Sequence, residues 1–270
     1  MRDRVSPVVT EADRETSTDS ASPNLRDLGG LEVAEGRTLR EGIIFRSEAP
    51  GGLGGPSRSR LEASGIRLVC DLRGPRERVA VPFAWSDPDI FLIPDDERDG
   101  SATAPSRDPK LALDSLADRS GGAAREFMAD GYRSFPLTLA EPLRGFFGCL
   151  LEGRVPALIH CAAGKDRTGF CCAVLLSVLG SPWSVIEADY LRSNAFFGAE
   201  RIVAVLEDGR DVSPSGPVVD SLLCRAEYLR IALESAADMG GSLDGYIEGT
   251  LGLDQRGRER LRSLLLAPAP

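Results

Sequence analysis

His160-Cys161-Ala162-Ala163-Gly164-Lys165-Asp166-Arg167-Thr168-Gly169 is the stretch that decides how the rest of the chain is read. Before it, Val155-Pro156-Ala157-Leu158-Ile159 is a short apolar strand candidate. After it, Thr168 to Leu179 is a helix apolar almost all round, a pattern that implies central burial. The strand–loop–helix order aims the helix N-terminal amides and positive dipole end back at the loop. Small residues at Ala162, Ala163 and Gly164 allow close backbone approach, so several amides can converge on an anion, with Thr168 and Gly169 as further candidate binding residues. Arg167 adds a planar, permanently charged fork suited to two phosphate oxygens. Cys161 lies at the floor of this positive cup, where a helix N-terminus and a neighbouring arginine favour the thiolate.

His160 is the only histidine of the chain, so a Cys–His dyad has no other candidate base. Adjacent residues at a strand end point to opposite faces, which turns His160 away from the thiol. Its expected role is a brace, an imidazole N–H bonded to loop backbone. A Walker A reading of Gly164-Lys165 fails, because Asp166 stands where Ser or Thr is required and Ile159 where the first Gly is required.

Working outward, Ile43-Ile44-Phe45, Ile66 to Leu72 and Ile90 to Ile93 read as strands. Pro56 to Ala63, stopped by Gly65, reads as a short helix. Ala123 to Phe135 and Thr138 to Leu151 read as helices, with Pro136 as the break. Gly180 ends the central helix, and Ser181-Pro182 starts the next with a serine N-cap and proline at N1. Helices then continue to Leu266, interrupted at Gly240-Gly241 and Gly252. Stretches 95–122 and 208–217 are rich in Pro, Gly, Ser and Asp, with a short helix expected at Leu111 to Leu116; they are candidate lids. Residues 1–22 read as a mobile tail and 23–270 as a single domain. The expected class is α/β, a mostly parallel central sheet flanked by helices with a helical C-terminal region.

Composition removes competing functions. A net charge of −9 argues against broad nucleic-acid binding. A single histidine excludes His-rich metal sites, and the six cysteines show no Cys-x-x-Cys pair. No apolar run approaches the roughly 18 residues of a membrane span, and no secretory signal is visible, so cytoplasmic residence is the expectation. Cys70, Cys149, Cys171, Cys172 and Cys224 lie among apolar residues and read as core thiols; Cys70, next to Asp71, is a candidate trap for an oxidised Cys161.

The loop resembles the phosphate-binding loop of cysteine-dependent phosphatases, and its Lys-Asp-Arg core is similar to the bacterial tyrosine/lipid phosphatase family. Further matches run in the family's order: Asn24 to Gly30, Gly42 to Ser47, Asp71-Leu72-Arg73 with Glu77 and Pro82, Tyr190 to Asn194, and Tyr246 to Leu253. The resemblance implies a cofactor-free, two-step hydrolysis through a phosphocysteine on Cys161. Arg167 and the amides of 162–168 would hold the equatorial oxygens, and Thr168 would stabilise the departing thiolate. The implied partners are phosphorylated proteins, at tyrosine first and at serine or threonine as well, or phosphoinositides.

A leaving alkoxide or phenoxide calls for a carboxylic acid. Asp166 is the position the resemblance favours; Asp71 ends a neighbouring strand; Asp130 has the spacing of other dual-specificity phosphatases but sits in a helix and reads as an ion-pair carboxylate. Lysine occurs only at 110 and 165, so Lys165 is a candidate contact to a second phosphate; the plainer reading is a solvated side chain, or one paired with Asp71 or a nearby Glu. The rival readings are a thiol-based oxyanion or sulfur transfer enzyme, of the arsenate reductase or rhodanese kind, and a noncatalytic phosphate-binding module.

Overall fold

The computed structural model describes residues 23–82, 91–93, 121–207 and 215–268. The tail at 1–22, the helix expected at 111–116 and most of the two candidate lids therefore lie outside the described residues. A five-stranded sheet has the order β1-β2-β5-β3-β4, with β1 Arg26–Asp27, β2 Ile44–Ser47, β3 Leu68–Asp71, β4 Phe91–Ile93 and β5 Ala157–His160. Only β1 is antiparallel to its neighbour. The central strand β5 carries the loop, and its last residue, His160, is in register with Ser47 of β2 and Asp71 of β3. Three parallel strands thus end together under the loop, the place where open α/β sheets bind ligands.

Strand alternation separates two cores. On the larger face Ile44, Leu68, Cys70, Ala157, Ile159 and Cys161 pack with helical residues. On the smaller face Phe45, Val69 and Leu158 meet Leu25, Leu53, Leu61 and Ile66. Helix α1 (Gly55–Ala63) covers this smaller face through Leu61, and α2 (Pro75–Ala80) follows β3. The larger face is covered by α3 (Gly121–Thr138), α4 (Ala140–Leu151) and α5 (Asp166–Leu179). It is completed by α6 (Trp183–Leu191), α9 (Ala226–Gly240) and α10 (Gln255–Leu265). Between α6 and α9, α7 (Ala199–Glu207) and α8 (Gly216–Leu222) pack on the start of α3 as a satellite cluster of Ala124, Ile202, Val218, Val219 and Leu222. The apolar character of α5 is explained by burial on all sides: Phe170 to Leu176 are all buried.

Two boundaries differ from the sequence expectation. Pro136 lies inside α3 and does not end it; the chain breaks at Leu139 instead. Proline removes one amide close to the helix end, where the Thr138 hydroxyl bonds the Ser134 carbonyl at 3.0 Å. Tyr246 Oη donates to the Pro136 carbonyl at 2.7 Å, which secures the turn. Ser181 is not the N-cap of α6; Pro182 holds that position. The Ser181 amide closes the preceding helix on Leu176 O at 2.9 Å, after Gly180 turns the chain at φ +86°.

Phe146 of α4 is fully buried in the larger core. Phe146→Ala is expected to lower the unfolding free energy by about 3–5 kcal/mol in urea titrations. An unchanged midpoint would contradict this packing.

Candidate active site

Each carbonyl from Cys161 to Lys165 has a partner on the outside of the loop. Cys161 O meets His160 Nδ1 at 3.2 Å, and Ala162 O accepts from the Ala49 amide at 2.9 Å. Ala163 O accepts from Asn24 Nδ2 at 3.1 Å. Gly164 O accepts from Asn24 Nδ2 at 3.0 Å and Arg46 Nη2 at 2.8 Å, and Lys165 O accepts the Gly169 amide at 2.9 Å. A peptide plane with its oxygen turned out turns its N–H the other way. The amides of Ala162, Ala163, Gly164 and Lys165 donate to no protein group among the described residues. Gly164 is at φ +65°, and a Cβ there would collide with the Ser47–Glu48 backbone, so both the turn and the close approach need glycine. Gly169 makes room for the Tyr190 ring, 2.7 Å from where its Cβ would stand.

Behind Gly164 lies a buried cluster. Asp189 of α6 accepts from Arg26 Nε at 2.8 Å and from Arg46 Nη1 at 2.5 Å. Arg26 also bonds Asn24 Oδ1 at 2.5 Å, and Arg46 reaches Ser193 Oγ at 3.3 Å. Burial would raise the Asp189 pKa, but the two guanidinium groups override it and hold the carboxylate at about 2.

Cys161 is 2% exposed at the loop floor, and no disulfide joins any of the six cysteines. Arg167 is anchored by Glu77, whose oxygens accept from Nη1 at 2.6 Å and Nη2 at 2.7 Å; Nη1 also reaches Leu72 O at 3.0 Å. These bonds occupy one edge of the guanidinium and leave the Nε–Nη2 edge, a two-donor fork, for an anion. Burial would lower the Arg167 pKa; the hydrogen bonds and charge of Glu77 hold it above the ordinary value. The Thr168 hydroxyl is buried without a hydrogen-bond partner among the described residues.

His160 lies on the opposite face of β5 from Cys161, fully buried, with Nε2 3.7 Å from Asp71 Oδ1. Burial lowers its pKa to about 4. Asp71 is engaged by Arg73 through Nε at 2.9 Å, Nη2 at 2.9 Å and the amide at 3.0 Å. Burial would raise its pKa; His160 and then Arg73 hold it below the ordinary value. Asp130 is exposed and pairs with Arg133 at 2.6 Å. Asp166 begins α5, its side chain 26% exposed, and Oδ1 accepts from Tyr132 Oη at 2.6 Å. Lys165 is only 4% exposed: its ammonium donates to Leu222 O and stands 3.1 Å from Asp166 Oδ1, not beside Asp71. Of the sequence candidates, therefore, Cys161 to Thr168 assemble as one cup with His160 beneath it, whereas the Gly169 amide is spent on Lys165 O; Asp71 sits beside His160 in a closed ion pair, and Asp130 is remote in role.

Sequence reasoning did not single out Glu77, Arg46, Asp189 or Tyr132 for the site. Gly74-Pro75-Arg76-Glu77 was the available signal for Glu77: the Gly74 amide bonds Glu77 Oε2 at 2.9 Å, a carboxylate cap that also fixes the side chain for Arg167. No group of three His, Cys, Asp or Glu side chains able to hold a metal ion occurs among the described residues.

A sequence profile of the tyrosine phosphatase family matches residues 19–267. The chain is 35% identical to the triple specificity protein phosphatase PtpB of Mycobacterium tuberculosis, over 90% of this chain and 96% of that protein. It is 33% identical to a protein of Cupriavidus necator assigned as a tyrosine-protein phosphatase, over 86% of this chain and 82% of the relative. A tyrosine-protein phosphatase of Nostoc commune is 26% identical over 68% of this chain and 64% of its own length.

The buried imidazole makes stability depend on pH. The unfolded chain binds its proton near the ordinary value of 6.5, the folded chain only near about 4. Between these values the unfolded state binds more protons, so stability falls as pH drops through that window, by up to about 1.4 kcal/mol per unit. Urea unfolding of the wild type at stepped pH is expected to show this slope, and His160→Gln to flatten it. A slope that survives the substitution would contradict the assignment.

Proposed function

The chain belongs to the tyrosine phosphatase family, and from that premise we propose that Cys161 is the nucleophile of a two-step hydrolysis of phosphate monoesters. The observation that carries this reading is the outward fixation of the loop carbonyls, which leaves amides and the Arg167 fork on the side of the thiol. In the first step the Cys161 thiolate attacks phosphorus in line, the bond to the leaving oxygen breaks, and Asp166 gives that oxygen a proton. The loop amides and Arg167 hold the equatorial oxygens throughout. In the second step water attacks the phosphocysteine, Asp166 takes the water's proton, and the Thr168 hydroxyl donates to the departing sulfur. His160, neutral near pH 7, braces the floor through Cys161 O.

Asp166 is preferred over Asp71 as the acid because Asp71 is held ionised by the Arg73 guanidinium, whereas Asp166 is partly exposed at the cup. Lys165 is assigned first to holding Asp166; a second substrate phosphate would meet its ammonium once it left Leu222 O. Phosphotyrosine in proteins is the first substrate class. The triple specificity named for the mycobacterial relative supports a wider range, which we take as phosphoserine/threonine and phosphoinositides. Residues 23–270 are read as one domain, in keeping with the profile match and one continuous sheet. No described helix is long and apolar enough to cross a membrane, and six unbridged thiols suit a reducing cytoplasm.

Wild-type protein is expected to hydrolyse para-nitrophenyl phosphate and phosphotyrosine peptides and to be inhibited by orthovanadate. Cys161→Ser should cut turnover by at least ~1,000-fold. Turnover that survives this substitution would sink the proposal, and a parallel panel of phosphoserine peptides and phosphoinositides measures the range.

A further inference from the structure

Tyr132 and Tyr190 are deeply buried tyrosines whose hydroxyls face the loop and which the two-step scheme does not use. Tyr132 Oη donates to Asp166 Oδ1 at 2.6 Å and lies 2.6 Å from Tyr190 Oη. A phenol has one proton, so with Tyr132 committed to Asp166 the proton between the tyrosines belongs to Tyr190. The order is therefore Tyr190 to Tyr132, and Tyr132 to Asp166. Burial keeps both phenols protonated, raising each tyrosine well above its ordinary value. The Tyr132 ring is held by Phe135 at 4.7 Å and stacks on Tyr228 at 5.3 Å.

We infer that Tyr132 is a positioning residue for proton delivery: its hydroxyl, oriented by Tyr190, pins Oδ1 of Asp166 so that Oδ2 carries the proton to the leaving oxygen. Lys165 Nζ, 3.1 Å from the same Oδ1, completes the anchor. With both donors on one oxygen, the carboxyl can lose and regain its proton on the other without turning. This rests on the reading of Asp166 as the general acid.

The test compares two leaving groups, because protonation matters for phenol, a poor one, and little for 2,4-dinitrophenol, a good one. The readout is the ratio of kcat/KM for 2,4-dinitrophenyl phosphate to that for phenyl phosphate, measured on the full chain. Asp166→Asn should raise the ratio by about 100-fold or more and Tyr132→Phe by about 10-fold, with Tyr190→Phe raising it less. A general loss of structure would depress both substrates alike and leave the ratio unchanged. If D166N raises the ratio and Y132F does not, the role of Tyr132 is overturned alone. If D166N leaves it unchanged, the reading of Asp166 fails. Should Y132F fail to fold, Y190F decides, and an unchanged ratio there overturns the proposal.

Discussion

Two buried guanidinium groups sharing one carboxylate, Arg26 and Arg46 on Asp189, are the constraint on which the site depends. Arg46 spends its other nitrogen on the Gly164 carbonyl, and Arg26 holds the Asn24 amide that grips Ala163 and Gly164. The loop oxygens are thereby fixed on the far side from Cys161, and the amides have only the cup to face. Two positive charges against one negative also leave the cluster with an unbalanced charge, in a dry setting where it acts more strongly than in water. An anion entering the cup meets dipoles and charge already in place, so no reorganisation is needed as the reaction proceeds.

The same logic explains how a chain of net charge −9 presents a positive pocket. Three carboxylates that flank the loop are each taken by an arginine: Glu77 by Arg167, Asp71 by Arg73 and Glu48 by Arg201. None of these three is left to repel a phosphate. The pairs also divide the work. Glu77 uses one edge of Arg167 and so aims the other, while Asp71 steadies Arg73 and the buried His160. Asp166 differs from all of these: it is partly exposed and bonded by a phenol and an ammonium, and no guanidinium among the described residues pairs with it.

Much of this was readable in the chain itself, because the chemistry is local. Strand, small-residue turn, arginine and apolar helix occupy one contiguous stretch, and period-two alternation was enough to turn His160 from Cys161. The α/β class followed from short apolar strand candidates and the helices that accompany them, and the mostly parallel sheet from the family resemblance of the loop. What was hidden depends on residues far apart in sequence. Asp189 meets Arg26 and Arg46 only when α6 packs behind the loop, and no spacing rule links them. Lys165 reads as a solvated or substrate-facing side chain until α8 supplies the Leu222 carbonyl. Local rules also yielded to packing at Pro136, where Tyr246 secures a helix end that proline would be expected to terminate, and at Ser181, which falls one residue before the N-cap of α6 because that helix starts at Trp183.

Orthovanadate affinity in the Arg46→Lys protein tests the clamp most directly, since lysine keeps the charge but cannot bond Asp189 and Gly164 O through a planar fork. Titration calorimetry, together with amide shifts of residues 162–166, reads both affinity and loop orientation. The clamp predicts a Kd at least ~10-fold higher than wild type, with the loop amides no longer moving together on binding. Wild-type affinity with unchanged amide shifts would contradict it.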